Sequence, residues 1–260
     1  MRDKRAKSEK KIWIVLVIAL VGLLAGAYII WNVTRDDREG SVNYSALRSL
    51  TKAGAIPDET VLPQVEIPDL NIDFEALKEI NADCIAWLYS PDTPIDYPVL
   101  GAEDYEQYLY VLPTGKKNKN GSLFLDYHCK RDFSDRMSII YGHNMRSGAM
   151  FGSLKSYHEQ EYFDEHPYIY LYTPERNYRI DVAYGFLIKA TTWRDNGYMH
   201  QENADAILEA AEKATTFQSP ITIGEGDRFA LLSTCDTKDR SSRYLLIGKL
   251  VPEYADISTQ

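Results

Sequence analysis

A series of eight short strand candidates limits the fold of this chain more than any other feature of its sequence. Each candidate is rich in Ile, Val, Tyr and Phe and is bounded by turn residues. The candidates are Cys84–Tyr89, Asp96–Leu100, Ser122–Tyr127, Met137–Gly142, Ile169–Thr173, Tyr178–Ala190, Arg228–Asp236 and Arg243–Val251. A run of short strands of this kind favours a barrel, so we predict a mostly β fold.

Two helices are predicted within this β-rich body. The segment Asp73–Asn81 precedes the first strand and carries apolar residues at three-residue steps. The segment Asn203–Phe217 precedes the seventh strand, and its apolar residues from Ile207 onward follow the i, i+3, i+4, i+7 spacing of an amphipathic helix. Asn203 stands where an N-cap residue is expected.

A stretch of 20 residues without a charge, Ile12 to Trp31, predicts a membrane-spanning helix. Such a helix is about 30 Å long, which matches a bilayer core. The preceding residues are mainly basic, and the positive-inside rule then places the N-terminus in the cytoplasm and the body outside. A signal peptide cut at Ala25-Gly26-Ala27 is the alternative, but its apolar region is usually about 7–15 residues long. We favour an uncleaved anchor that contacts membrane lipid.

These features divide the chain into four parts. Residues 44–52 have helical spacing, and the segment Gly54–Pro68 contains three prolines that predict a linker. The predicted parts are a basic cytoplasmic tail (1–11), a transmembrane signal anchor (12–31), a juxtamembrane helix with its linker (32–68) and an extracellular domain (69–260).

Charge and cysteine content exclude several classes of function. The net charge of −9 argues against nucleic acid as a partner, because such proteins carry clustered Lys and Arg. Three cysteines are an odd number and do not form a disulfide framework, although a bridge between Cys84 and Cys129 stays open. The sequence has no Cys-x-x-Cys and no paired histidines of the zinc-site kind. We predict neither a metal nor a cofactor.

Three residues together form the outline of a reaction centre. Cys235 ends an apolar strand candidate, and Arg243 opens the next one eight positions later. His143 follows another strand candidate at a glycine turn. They offer a nucleophile, a general acid/base and a donor for an oxyanion. Singly, each residue type is usually structural. Arg240 is a rival to Arg243, but it lies inside a polar loop.

The sequence motifs around these residues resemble those of the sortases, the cysteine transpeptidases of Gram-positive cell surfaces. The likeness rests on the order Tyr-Gly-His, Leu-x-Thr-Cys and Arg, with Leu231 where the family has Thr. It covers about residues 70 to 251 and is greatest for class B sortases, through stretches that include 95–99, 123–127, 150–152 and 166–170.

This resemblance implies a closed β-barrel with N-terminal helices and a helix inserted before the cysteine strand. It also implies a catalytic set of His143, Cys235 and Arg243, with Tyr141, Ser233 and Thr234 at family positions that bind substrate. The substrate would be a surface protein with a C-terminal sorting signal, often of an Asn-Pro-x-Thr type, that is cleaved after Thr through a thioester. The acyl acceptor would be an amine of a cell-wall precursor or a pilin lysine.

Two other functions are weighed against the transpeptidase. A secreted, membrane-tethered cysteine peptidase would also use Cys and His, but papain-like enzymes place the Cys before the His. A non-catalytic surface adhesion or scaffold domain would explain the anchor and the β-rich body while leaving all three residues structural. A reactive Cys235 thiol would distinguish either enzyme from the non-catalytic domain.

Overall fold

The structure is a computed structural model that describes residues 2–53, 65–235 and 241–254. The contacts along the chain define two compact units, residues 1–42 and 43–260. The first unit consists of helix, and the second contains the barrel.

The first helix, α1 (Arg2–Arg48), contains the whole predicted span. Within the described residues it is the one helix long and apolar enough to cross a membrane, and a signal sequence has the same character. The helix predicted at residues 44–52 is present only up to Arg48, as the end of α1, and a strand begins at Thr51. Of the predicted linker, residues 54–64 lie outside the described residues.

Eight of the described strands form the barrel: β3 (Cys84–Tyr89), β4 (Asp96–Gly101), β5 (Leu123–Leu125), β6 (Met137–Tyr141), β7 (Tyr168–Tyr172), β8 (Asn177–Lys189), β9 (Phe229–Cys235) and β10 (Ser242–Pro252). They close in the order β10-β8-β7-β3-β4-β5-β6-β9. All eight strand candidates occur, and the predicted barrel is confirmed. A two-stranded sheet of β1 (Thr51–Ala53) and β2 (Leu70–Ile72) was not predicted.

Two pairings in the barrel are parallel, β4 with β5 and β6 with β9. Parallel neighbours cannot be joined by a tight hairpin, so each pair requires a long connection. Residues 102–122, here called the 102–122 loop, connect β4 to β5. The remaining helices are α2 (Phe74–Ile80), α3 (Gln160–Glu165), α4 (Ala190–Asp195) and α5 (Ala204–Ala214), with short 3₁₀ turns at Leu154–His158 and Gln201–Asn203.

The helix inserted before the cysteine strand is present as α5, and Asn203 stands at its N-cap position as predicted. Asn203 precedes α5, yet its side chain makes no capping hydrogen bond and donates instead to the Gly197 carbonyl at 2.9 Å. The reason is the 3₁₀ turn that already leads into the helix. The other predicted helix is confirmed as α2, where the Asp73 carboxylate accepts from the Ala76 N–H at 2.9 Å.

Candidate active site

The ends of three neighbouring strands bring the predicted site residues together. Strand β9 runs parallel to β6, with Ser233 opposite Tyr141, and antiparallel to β10, with Cys235 opposite Arg243. His143 lies two residues beyond Tyr141. Since β6 and β9 run in the same direction, His143 follows β6 at the end of β9 where Cys235 lies.

A cavity of about 350 Å³ opens at this end of the strands. Its wall combines the predicted residues with aromatic and aliphatic side chains from the 102–122 loop and from α4. The lining residues are Tyr105, Leu109, Tyr110, Ser122, Phe124, Tyr141, Gly142, His143, Ala190, Trp193, Arg194, Met199, Ser233 and Arg243. A larger cavity of about 650 Å³, near Gln160 and Phe217, contains none of the predicted site residues.

His143 is held at one ring nitrogen by the backbone of the 102–122 loop. Its Nε2 lies 2.5 Å from the Leu109 carbonyl oxygen, and the Tyr110 ring lies 5.3 Å away. A carbonyl can only accept, so Nε2 carries the hydrogen and the neutral ring has its lone pair on Nδ1. Burial lowers the pKa of His143 below its usual value, and the bond to Leu109 opposes that shift. Nδ1 is therefore the nitrogen left to exchange a proton.

Arg243 is half-buried at the start of β10 and lines the cavity. Its Nε is buried and has no hydrogen-bond partner among the described residues. A guanidinium keeps its charge at any working pH, so it can offer donors to a developing negative charge. The charge of Arg243 also acts on the Tyr141 hydroxyl. Burial and Asp126 raise the pKa of that hydroxyl well above its usual value, and Arg243 partly offsets the rise.

Asp126 lies within the strand candidate Ser122–Tyr127, where the sequence assigns it no role. The structure shows its carboxylate buried after β5, where it accepts hydrogen bonds from the hydroxyls of Tyr105 and Tyr141, both at 2.9 Å. The ring of His128 lies 2.9 Å from the other carboxylate oxygen. The sequence signal that could have identified Asp126 is an acidic residue within an otherwise apolar strand candidate. Asp126 therefore fixes two of the aromatic walls of the cavity.

Ser233 and Thr234 face opposite sides of β9, because side chains alternate along a strand. Ser233 lines the cavity, and its buried hydroxyl has no partner in the described part of the chain. Thr234 is equally buried but does not line the cavity. The predicted substrate residues Tyr141 and Ser233 thus lie in the cavity wall, whereas Thr234 lies behind it.

The structure describes the backbone of Cys235 as the last residue of β9 but not its side chain. The rival arginine, Arg240, lies outside the described residues. The other two cysteines, Cys84 and Cys129, are free and buried, so they form no bridge with each other. Burial raises the pKa of each thiol to about 12. Both remain protonated at neutral pH, and a thiol is a poor nucleophile.

The chain resembles known proteins over almost its whole length. Sortase B of Listeria monocytogenes is 30% identical over 243 residues, which cover 91% of this chain and 94% of the relative. Sortase B of Staphylococcus aureus is 25% identical over 258 residues, which cover 96% of this chain and 99% of the relative. The crystal structure of sortase B from Bacillus anthracis superposes with a TM-score of 0.66 at 26% identity, covering 84% of this chain and 99% of that one. No family model matches the chain.

Proposed function

The chain belongs to the class B sortases and is a sortase-type cysteine transpeptidase, and we propose that Cys235, His143 and Arg243 carry out its reaction. One observation carries this assignment: His143, Arg243 and the backbone position of Cys235 meet at the ends of three adjacent strands, beside a single cavity. Among the described cysteines, the two other thiols are buried away from that cavity.

In the proposed acylation step, Nδ1 of the neutral His143 ring takes the proton of the Cys235 thiol, and the thiolate sulfur attacks the carbonyl carbon of the peptide bond that follows Thr in the sorting signal. The carbonyl oxygen gains the negative charge, and the Arg243 guanidinium donates hydrogen bonds to it. The C–N bond then breaks, His143 gives a proton to the departing amine nitrogen, and a thioester remains.

In the second step an incoming amine attacks the thioester. His143 removes a proton from that amine, and the thiolate of Cys235 leaves as the new amide forms. The Leu109 contact supports this exchange, because it occupies Nε2 and leaves Nδ1 free for both proton transfers.

The proposed substrate is a protein that carries a sorting signal, as membership of the sortase family implies. We assign the cavity to that peptide because its aromatic and aliphatic wall suits apolar peptide side chains. The unpartnered Ser233 hydroxyl supports a hydrogen bond to the peptide from within the cavity. The proposed acceptor is an amine of a cell-wall precursor.

We place the catalytic body outside the cell, held by the apolar part of α1 and with the N-terminus in the cytoplasm. The basic residues that precede the apolar stretch support this orientation.

The test is a transfer assay with the full chain in detergent, a labelled peptide of the Asn-Pro-x-Thr type and an added amine. We expect Cys235→Ala to abolish transfer, and Cys84→Ala and Cys129→Ala to retain most of it. Mass spectrometry should detect the thioester on wild type, and His143→Ala should be nearly as inactive as Cys235→Ala. Transfer by Cys235→Ala would refute the mechanism, and release of peptide by water alone would favour a peptidase.

A further inference from the structure

The 102–122 loop controls where the ring of His143 lies, because the Leu109 carbonyl is the partner of its Nε2 at 2.5 Å. A small displacement of this carbonyl would turn or release the imidazole. What holds Leu109 in place therefore matters for any proton transfer at the ring.

Gly121 lies beside that carbonyl within the same loop, with no room between them for a side chain. Its φ is +55°, and a Cβ added there would lie 2.2 Å from the Leu109 oxygen. The next residue, Ser122, donates its N–H to the carbonyl of Tyr108, the residue before Leu109, at 3.0 Å. The position of Gly121 consequently fixes the position of Leu109.

Gly121 is in turn held by Tyr44, which lies in the last two turns of α1. The Tyr44 hydroxyl donates to the Gly121 carbonyl at 2.5 Å, and the side chain is almost fully buried. Burial raises the pKa of this hydroxyl, so it remains a donor. Nearby, the Asn43 amide donates to the Thr114 hydroxyl at 3.0 Å and adds a second contact between α1 and the loop.

Tyr44 also reaches the segment on the other side of His143. Its ring packs edge-on against Tyr97, with the centroids 4.9 Å apart. The Tyr97 hydroxyl accepts from the Met150 N–H at 3.2 Å, and the neighbouring Phe151 N–H donates to the His143 carbonyl at 2.9 Å. The supports of both the side chain and the backbone of His143 thus meet at Tyr44.

We propose that Tyr44 is a positioning residue for His143, through which the end of α1 forms part of the support of the active site. This inference rests on the proposed role of His143 in proton transfer. A purely structural Tyr44 would affect melting and leave turnover per folded molecule unchanged.

The variant Tyr44→Phe removes only the hydroxyl and leaves the Gly121 carbonyl without that donor. We expect kcat to fall about 10-fold while KM changes less than about twofold, because a misplaced imidazole affects proton transfer more than peptide binding. Tyr97→Phe removes the contact to Met150 and should lower kcat in the same direction.

The matched control is Tyr172→Phe. Tyr172 is also buried, and its hydroxyl also donates to a backbone carbonyl, that of Pro68 at 2.7 Å. It does not line the cavity. The same chemical change there should leave kcat unaltered.

The experiment compares these variants in the full detergent-solubilised chain by the transfer assay, thermal melting and ¹⁵N NMR of the His143 Nε2–H. A lower kcat for Tyr44→Phe than for Tyr172→Phe, with a shifted Nε2–H resonance, supports the proposal. An unchanged kcat and resonance in both Tyr44→Phe and Tyr97→Phe overturns it. An active His143→Ala variant would instead refute the proposed function, so the two failures are distinguishable.

Discussion

Arg243 is the direct cross-strand partner of Cys235 in the antiparallel pair of β9 and β10. The register therefore brings the backbone position of Cys235 beside Arg243, whose side chain lines the cavity. The eight-residue spacing in the sequence is therefore the distance along the chain at which β10 returns to the end of β9.

Replacement of Arg243 should slow acylation far more than it weakens peptide binding. We expect Arg243→Ala to lower the single-turnover rate of thioester formation by about 10²–10³, which is the usual effect of losing one oxyanion donor. Arg243→Lys should restore only part of the rate, because a flexible ammonium does not reproduce the planar guanidinium. A folded Arg243→Ala enzyme that acylates at the wild-type rate would assign Arg243 a structural role, and a large defect in Arg240→Ala alone would identify the other arginine.

The lowered pKa of His143 should make stability depend on pH. Folding depresses this pKa below the usual 6.5, so the unfolded chain binds the proton more readily than the folded one. The contribution of His143 to the free energy of unfolding is fully present above about pH 6.5. It is lost as the pH falls through the folded pKa, by at most about 1.4 kcal/mol per pH unit. Denaturant unfolding at several pH values measures it.

The informative comparison for this pH dependence is His143→Gln, whose amide can still donate to Leu109 without titrating. We expect its free energy of unfolding to depend less on pH than that of wild type. His166→Gln, which lies outside the cavity, is the control. Identical slopes for wild type and His143→Gln would contradict the prediction.

Asp126→Asn should destabilise the fold and weaken peptide binding. The amide offers one oxygen where the carboxylate offers two, so the donors around Asp126 lose an acceptor. We expect a loss of about 1.5–3 kcal/mol, as for hydrogen bonds to a charged group. KM should also rise, because Tyr105 and Tyr141 line the cavity. The control is Glu106→Gln, which removes the same charge at an exposed position and should change the free energy of unfolding by less than about 0.5 kcal/mol. An equal effect of both variants would refute the role of Asp126 in holding Tyr105 and Tyr141.

The full chain should fractionate with membranes, and protease added to intact protoplasts should digest its body. The apolar part of α1 and the basic residues before it are the reason. Protection of the body from protease would reverse the topology. A mature N-terminus near residue 28 would show that the stretch is a cleaved signal peptide.

Local patterns in the sequence were sufficient for the type of most elements. Alternation and β-branched residues mark the eight strands, and the motifs around His143, Cys235 and Arg243 mark the ends of three of them as the candidate site. The sequence also shows the apolar stretch, although not that α1 continues to Arg48. Asn203 occupies the predicted N-cap position, but its side chain does not cap α5, because a 3₁₀ turn precedes the helix and no local rule signals that turn.

Tertiary structure alone determined what surrounds the candidate site residues. The bonds from His143 to Leu109, from Tyr141 to Asp126 and from Tyr44 to Gly121 join residues 34, 15 and 77 positions apart. Periodicity encodes whether a segment is a strand or a helix, because that depends on near neighbours in the chain. Which distant groups meet depends on the register and closure of the barrel, and these are set by packing of the whole core.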